Sequence, residues 1–326
     1  MTHALEHTSF RAMGTVCALA ANADDAIFRR RALEAARHEV DACERALSRF
    51  DAQSDLSRLN RGAGSWVGVD TRLVDALTAA LRARADTEGR FDVTILPALA
   101  AAGYDRSFEL LTKRTATTLD GWQAGACIDV DAVAGKARVE RGAAVDLGGI
   151  GKGFAAMRAL NAMRAACPML TGGLVDLGGD IAVWGTPPEG GPWRIDIADP
   201  RSATRIAGTL QLTNGGVATS GRDARKFGSN GELHHLIDPR TGTPAAAGPL
   251  AVTVVAANAT EAEAHATALA VTDVDEARDY LAARPGIAAL LIPEVEEQPI
   301  AIGSLPLVPE QPRARFVIAT EAGRFS

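Results

Sequence analysis

The sequence predicts an α+β fold with mixed or antiparallel sheets and packed helices, and three observations lead to that class. Segments with strand character outnumber segments with helical periodicity. The two kinds of segment alternate irregularly, which argues against a doubly wound parallel sheet. The 326 residues are 47% hydrophobic and 23% charged, which is typical of a globular protein that can bury a sizeable core. We expect one domain over residues 1–326, or two closely packed α+β lobes.

The first half of the chain is predicted to be mainly helical. A long helix has one apolar stripe, formed by Leu33, Ala36, Val40, Cys43 and Leu47. Asp70 is placed to cap the next helix. The predicted elements are a strand at 11–20 interrupted by Gly14, a helix at 24–49, a polar loop at 48–64, a helix at 69–87 and a loop at 89–101 that leads into a short apolar segment.

The second half is predicted to be rich in strands, because short apolar runs are separated by polar turns. Two strand-like pieces flank residues 178–180, after a helix that ends near Pro168. The further predicted elements are strands at 193–199, 205–214 and 249–257, helices at 260–271 and 275–284, and strands at 286–294 and 313–320.

A glycine-rich turn at 144–156 is the centre of the prediction. An apolar run interpreted as a strand ends at Asp146, four glycines surround Lys152, and a helix follows. Bare backbone N–H groups and a helix N-terminus favour a phosphate or a comparable anion. Gly153 follows Lys152, so the hydroxyl residue of a Walker A loop is missing. Residues 151–156 fit the looser G-x-G-x-x-A dinucleotide pattern; the alternative is a tight strand-to-helix turn with no ligand.

Composition limits the partners and the compartment. The net charge of −6 argues against broad binding of nucleic acid, which favours a basic face. The four cysteines are far apart in the sequence, so we interpret them as small buried apolar residues, not as a metal site or a disulfide framework. No apolar run is long enough for a membrane span, and the start of the chain lacks the pattern of a signal peptide. We therefore expect a cytoplasmic protein.

Two further segments carry candidate chemistry. Glu263 and Thr267 are four residues apart on a predicted helix, so their oxygens share a face and suit Mg²⁺. The alternative for Glu263 is a capping box opened by Thr260. His234, His235, Asp238 and Arg240 lie close together between apolar strands, as an acid–base site requires, although a hairpin with solvated charges gives the same pattern.

The chain resembles the FAD:protein FMN transferase (ApbE-type flavin transferase) family. The motifs follow in order through nearly the whole chain: MGT at 13–15, SRFDAQSDLSRLN at 48–60, GRFDVTILP at 89–97, VDLGGIGKGFA at 145–155, VDLGGDI at 175–181, ATSG at 218–221, HHLIDPRTG at 234–242 and AEAHATAL at 262–269. The resemblance implies an α+β, T-fold-related architecture. It also implies a Mg²⁺-dependent transfer of FMN from FAD, through its phosphate, to a threonine hydroxyl of an acceptor protein, with release of AMP.

By this resemblance, FAD lies against Met13, Phe50, Arg90, Phe91, Asp92, Asp146, Lys152 and Ile237, and the T-S-G segment adds Ser220 as a phosphate contact. Mg²⁺ takes the carbonyl of Gly149 and the side chains of Glu263 and Thr267. His235 and Asp238 are the candidates for taking the threonine proton or orienting the leaving group.

The sequence departs from the family pattern at three of its positions. Glu263 replaces an aspartate, Phe50 replaces a tyrosine, and Met157 stands where an aspartate is frequent. The changes at positions 263 and 157 keep open an FAD-binding protein without turnover. A Mg²⁺-dependent FAD pyrophosphatase, in which water replaces threonine and the products are FMN and AMP, is a second alternative. A dinucleotide-dependent oxidoreductase is a third, and it rests only on the G-x-G-x-x-A match.

Overall fold

The structure is a computed structural model that describes residues 5–104, 123–202, 204–222, 226–227, 233–234, 236–246, 248–294, 298–308 and 316–318. Its α-helices are α1 (Ala26–Leu47), α2 (Asp55–Arg61), α3 (Thr71–Asp86), α4 (Leu96–Ala101), α5 (Gly151–Ala166), α6 (Ala259–Leu269) and α7 (Val274–Ala282). One 3₁₀ turn, Val93–Ile95, precedes α4.

The strands form one large sheet and several small ones. In chain order they are β1 (Glu6–Ala12), β2 (Thr15–Asn22), β3 (Val67–Gly68), β4 (Ile128–Asp131), β5 (Lys136–Val139), β6 (Gly172–Leu177), β7 (Ile181–Gly185), β8 (Trp193–Ala198), β9 (Ile206–Leu212), β10 (Asn214–Gly221), β11 (Lys226–Phe227), β12 (Leu233–His234), β13 (Ile237–Asp238), β14 (Thr243–Pro244), β15 (Ala251–Ala256), β16 (Ala288–Ile292), β17 (Ile300–Ile302), β18 (Leu307–Val308) and β19 (Phe316–Ile318).

An eight-stranded antiparallel sheet, in the order β1-β2-β6-β7-β10-β15-β16-β17, is the centre of the molecule. A four-stranded sheet, β18-β9-β8-β19, contains the parallel pair of β8 and β19. The sheets are therefore mixed and antiparallel, with separate helices, which confirms the predicted α+β class.

Side chains that alternate along each strand give the large sheet two buried faces. Cys17 and Leu19 of β2 pack with α1 and α5, whereas Ala20, the residue after Leu19, faces Trp193 and Ile195 of the four-stranded sheet. Farther along, β15 and β16 pack against α6 and α7 in a second apolar cluster. The sheet thus separates a helical layer from a smaller sheet, and the N-terminal ends of α5 and α6 meet in the helical layer.

Several predicted elements are confirmed with small shifts of their ends. The five apolar stripe residues of α1 are all buried, and Asp25 caps this helix through its side chain. Asp70 caps α3 as predicted. The break at Gly14 is a two-residue hairpin turn, in which Met13 and Gly14 both have positive φ.

Two predictions about local structure are wrong. The polar loop at 48–64 contains α2, because Ser54 caps it by accepting a hydrogen bond from the N–H of Ser57. The run before the glycine turn is not a strand. The N–H and C=O of Val145 both bond to the side-chain amide of Asn60, and the N–H of Asp146 donates to the carbonyl of Val93. A side chain therefore takes the place of a neighbouring strand.

The cysteines follow the prediction at three of four positions. Cys17, Cys43 and Cys167 are buried, whereas Cys127 is exposed. Burial raises the pKa of the Cys17 and Cys43 thiols to about 12, so both are neutral apolar groups at physiological pH. Within the described ranges, no helix combines the length and apolar character that a bilayer crossing requires.

Candidate active site

The turn at 148–151 brings the start of α5 against the start of α6. Gly153 makes this approach possible, since a Cβ there would lie 2.7 Å from the carbonyl carbon of Ala259 and 3.1 Å from Cβ of Glu263. One glycine of the G-x-G-x-x-A pattern is thus required by helix packing, independently of any phosphate. The N-cap residue of α5, Ile150, makes no side-chain cap, and the first N–H groups of the helix have other partners: Gly151 donates to the carbonyl of Leu147, and Gly153 donates to the carboxylate of Glu263.

The three residues predicted to bind metal lie together at this meeting point. Thr267 donates its hydroxyl hydrogen bond to the carbonyl of Gly149 across 3.2 Å. One turn earlier on α6, Oε2 of Glu263 accepts the N–H of Gly153 at 2.7 Å, and Oε1 lies 3.6 Å from the ammonium of Lys152. The ring of Phe91 packs beside Gly149. A carboxylate, a hydroxyl and a carbonyl form an all-oxygen set of the kind that Mg²⁺ prefers, with places left for phosphate oxygens and water.

The capping-box alternative for Glu263 is wrong. Helix α6 begins at Ala259 and is capped by Asn258, which accepts the N–H of Glu261 at 2.9 Å. Glu263 is therefore in the second turn, with its carboxylate directed toward Gly153 and Lys152. Burial raises the pKa of Glu263 above the usual glutamate value, and the Lys152 ammonium acts in the opposite direction.

Lys152 also pairs with Asp180, which was not among the predicted site residues. Asp180 lies in the turn between β6 and β7, directly after Gly178 and Gly179, and is 1% exposed. Its carboxylate is in hydrogen-bond contact with the Lys152 ammonium. The sequence contains one clue to this role. V-D-L-G-G occurs twice, and only the second copy, at 175–179, is followed by a carboxylate residue.

A second group of site residues surrounds Asp146. Arg49 places its Nε 2.6 Å from Oδ2 of Asp146, and both side chains are buried. The Arg49 guanidinium lies 4.2 Å from the ring centre of Phe50 and 4.7 Å from that of Tyr104, and these two rings meet edge to face. Phe50 is 48% exposed, so its ring offers an accessible apolar surface. Ile237 packs in the same small cluster as Tyr104. Sequence reasoning missed Arg49, although it directly precedes Phe50.

A third group connects Arg90 with Asp238. Glu276 on α7 accepts hydrogen bonds from Arg90 and from Arg240, and Arg240 clasps the Asp238 carboxylate at 2.9–3.2 Å. Asp92 is buried, caps the following 3₁₀ turn through Oδ1, and lies 3.1 Å from Nε of Arg84 through Oδ2. The side chains of Arg90, Asp92 and Asp238 therefore have partners inside the protein.

The remaining predicted residues are less closely connected. Met13 occupies the β1–β2 turn and donates its N–H to Glu44, and Ser220 lies half-buried on β10. In the part of the chain that the structure describes, no side-chain hydrogen bond or ion pair joins either residue to the groups above. His235 lies outside the described residues. His265 is buried against Tyr280, and burial lowers its pKa to about 4.

The site as a whole combines a helix N-terminus, a lysine, buried carboxylates and a hydroxyl. These features suit a phosphate-containing ligand together with a hard cation. Across the described residues there is no cluster of three or more His, Cys, Asp or Glu side chains suited to a metal. A metal at Gly149, Glu263 and Thr267 would thus depend on one carboxylate and on oxygens from the ligand.

Proteins with similar sequences are named for FAD, which is a phosphate-containing ligand. The sequence profile of the ApbE family matches residues 13–291, and the chain belongs to that family. The FAD:protein FMN transferase of Salmonella typhimurium is 30% identical over 264 residues, which are 78% of this chain and 74% of the relative. The Escherichia coli K12 protein of the same name is 28% identical over 303 residues, covering 89% and 85% of the two chains.

A solved structure shares the fold over nearly its full length. The crystal structure of the ApbE protein from Thermotoga maritima superposes with a TM-score of 0.82 and 28% sequence identity, covering 92% of this chain and 97% of the other. The motif resemblance seen in the sequence is therefore confirmed at the level of family and fold.

Proposed function

We propose that the protein transfers FMN from FAD to a threonine hydroxyl of an acceptor protein and releases AMP. The observation that carries the proposal is the convergence of Gly149, Glu263 and Thr267 beside Lys152 at the N-terminus of α5. Curated relatives that carry the name FAD:protein FMN transferase support the flavin and acceptor parts of the proposal. The all-oxygen set at Gly149, Glu263 and Thr267 supports the metal, whereas the threonine target and the AMP product follow from the motif resemblance.

The proposed reaction breaks the phosphoanhydride bond of FAD and forms a phosphoester bond to the acceptor. The threonine oxygen attacks the phosphorus of the FMN half, and the bond from that phosphorus to the bridging oxygen of AMP breaks. The threonine proton passes to a base, for which we propose His235. Asp238, held by Arg240, would fix the turn that follows His235, so an orienting role suits it better than proton transfer.

The protein groups place and neutralise the pyrophosphate. Lys152, beside the N-terminus of α5, supplies positive charge, and the exposed ring of Phe50 supplies a surface for a flat ring system. Phe91, Asp146 and Ile237 would line the adjoining wall, with Met13, Arg90, Asp92 and Ser220 at its margins. Mg²⁺ held by Gly149, Glu263 and Thr267 would supply Lewis-acid stabilisation of the phosphate charge.

The direct test supplies FAD, Mg²⁺ and a flavin-acceptor domain that carries a threonine target. We expect the acceptor to gain the mass of one FMN with one AMP released, and neither product in the presence of a chelator. Free FMN and AMP with an unmodified acceptor would indicate a pyrophosphatase. Retained FAD with no product would indicate a binding protein, and either result would contradict the proposal.

A matched pair of variants tests the metal assignment on α6. Glu263→Gln should lower the rate of transfer by about 100-fold, because it removes the one carboxylate of the metal set. Glu261→Gln changes the same residue type half a turn away, where the side chain lies beside the helix cap, and should stay within about twofold of the wild-type rate. Equal rates for the two variants would exclude Glu263 from the metal site.

A further inference from the structure

Lys152 is shared between two buried carboxylates. Its ammonium is in hydrogen-bond contact with Asp180 and lies 3.6 Å from Oε1 of Glu263. The carboxylate side chains of Asp180 and Glu263 are 2% and 4% exposed, whereas the side chain of Lys152 is 20% exposed. Lys152 is thus the solvent-facing member of the triad, and the two acidic groups are fixed within the protein.

This arrangement places a cation beside the carboxylate proposed to bind Mg²⁺. A buried carboxylate requires a counter-charge, and the ammonium of Lys152 provides it. The Gly153 N–H occupies Oε2 of Glu263 at 2.7 Å, so Oε1, which faces Lys152, is the oxygen left for a metal. An ammonium and a divalent cation on the same oxygen repel each other strongly in a poorly solvated site.

We propose that Lys152 is an exchangeable counter-ion of the metal site, and that Mg²⁺ binds Glu263 only as the ammonium of Lys152 moves away from it. A diphosphate offers that ammonium new anionic partners, so nucleotide binding opens the metal site and metal binding frees Lys152 for the phosphates. Asp180 is the positioning residue that keeps Lys152 within reach of both. The proposal rests on the proposed function in that it assumes a site for Mg²⁺ and a diphosphate.

The first test measures Mg²⁺ affinity by calorimetry without nucleotide or acceptor, so it is independent of transfer activity. Lys152→Met removes the ammonium and keeps the length of the side chain; we expect Mg²⁺ to bind about tenfold more tightly or better than in the wild type. Arg158→Met is the matched control, because Arg158 is a cation on the same helix that pairs with Glu39 and Asp75. It should change the affinity by less than about twofold.

The coupling between the two ligands gives a second criterion. ADP, which carries a diphosphate and no flavin, should tighten Mg²⁺ binding to the wild type. The tightening should be smaller in Lys152→Met, because the competing ammonium is already gone. Weaker or unchanged Mg²⁺ binding in Lys152→Met, or no binding in either protein, would overturn the proposal.

A measurement on the wild-type protein tests the proposal without depending on the fold of the Lys152→Met variant. The sequence contains four lysines, at positions 113, 136, 152 and 226, so ¹³Cε-lysine NMR yields few signals, and lysine-to-arginine variants assign them. Addition of Mg²⁺ and ADP together should shift the Lys152 signal in a saturable way and leave Lys136, on β5, unchanged. A Lys152 signal that stays constant while both ligands bind would contradict the exchange.

Discussion

The pentapeptide Val-Asp-Leu-Gly-Gly occurs at 145–149 and again at 175–179, and its two copies fold differently. In the first copy, both backbone groups of Val145 bond to the side chain of Asn60, and no strand forms. The second copy ends β6, which pairs with β2 and β7. The same pentapeptide therefore adopts different structures because its backbone groups meet different hydrogen-bond partners.

The polar positions of the two copies also diverge. Asp146 accepts the N–H of Gly148 and pairs with the buried Arg49, whereas Asp176 accepts the N–H of Gly179 within its own hairpin. Gly178 and Gly179 have positive φ, and the corresponding glycines of the first copy do not. Yet both copies serve one site, since the first presents the Gly149 carbonyl and the second leads directly into Asp180.

The largest expected difference between the copies concerns the two aspartates. Asp146→Asn leaves Arg49 buried without its charged partner and should lower the free energy of unfolding by about 3 kcal/mol. Asp176→Asn keeps an acceptor for the Gly179 N–H and should change it by less than about 1 kcal/mol at pH 5. Urea unfolding of both variants measures the difference. Equal losses of unfolding free energy would show that the Arg49–Asp146 ion pair stabilises the protein no more than the Asp176 hydrogen bond does.

The fourth residue of each copy gives the next contrast. At Gly178 an added Cβ would require positive φ and would lie 2.8 Å from Cγ2 of Thr15, so Gly178→Ala should destabilise by about 3 kcal/mol. At Gly148 the nearest atom is the carboxylate end of Asp146, at 2.7 Å, and φ is ordinary. Gly148→Ala should lower the unfolding free energy by about 1 kcal/mol. A reversed order in chemical denaturation would refute the assigned turn conformations.

The smallest expected effect is a pH dependence confined to the second copy. Burial raises the pKa of Asp176 from 3.8 to about 6, with partial opposition from the Gly179 N–H and from Lys152. Between these two pH values the folded protein binds more protons than the unfolded chain, so this group's contribution to stability decreases as pH rises. The unfolding free energy of Asp176→Asn relative to wild type should rise by about 1–2 kcal/mol from pH 4 to pH 7. A flat difference would contradict the raised pKa.

The sequence predicted well the parts that depend on local pattern. The stripe of α1, the Asp70 cap and the antiparallel strands all follow from periodicity and from capping chemistry. The motif resemblance predicted Gly149, Glu263 and Thr267 as metal ligands; the structure brings the three residues together, and their role stays a prediction. These features have their determinants within a few residues of each other or in a family motif.

The sequence could not predict features that depend on distant partners. The first Val-Asp-Leu-Gly-Gly copy looked like a strand, because nothing local reveals that Asn60 satisfies its backbone. Glu263 looked like a capping residue, because the approach of Gly153 from another helix is a tertiary contact. Asp180 and Arg49 were missed as site residues for the same reason, since their partners are 28 and 97 residues away.

We propose that FMN transfer takes place where α5 and α6 meet, and a pair of threonine variants on α6 tests this location. Thr267→Val removes the hydroxyl beside the Gly149 carbonyl, whereas Thr260→Val makes the same change near the start of the helix. The amount of FMN-modified acceptor formed per minute with FAD and Mg²⁺ should fall by about 100-fold in Thr267→Val and stay within twofold of wild type in Thr260→Val. Equal modification by Thr267→Val and wild type would contradict the account.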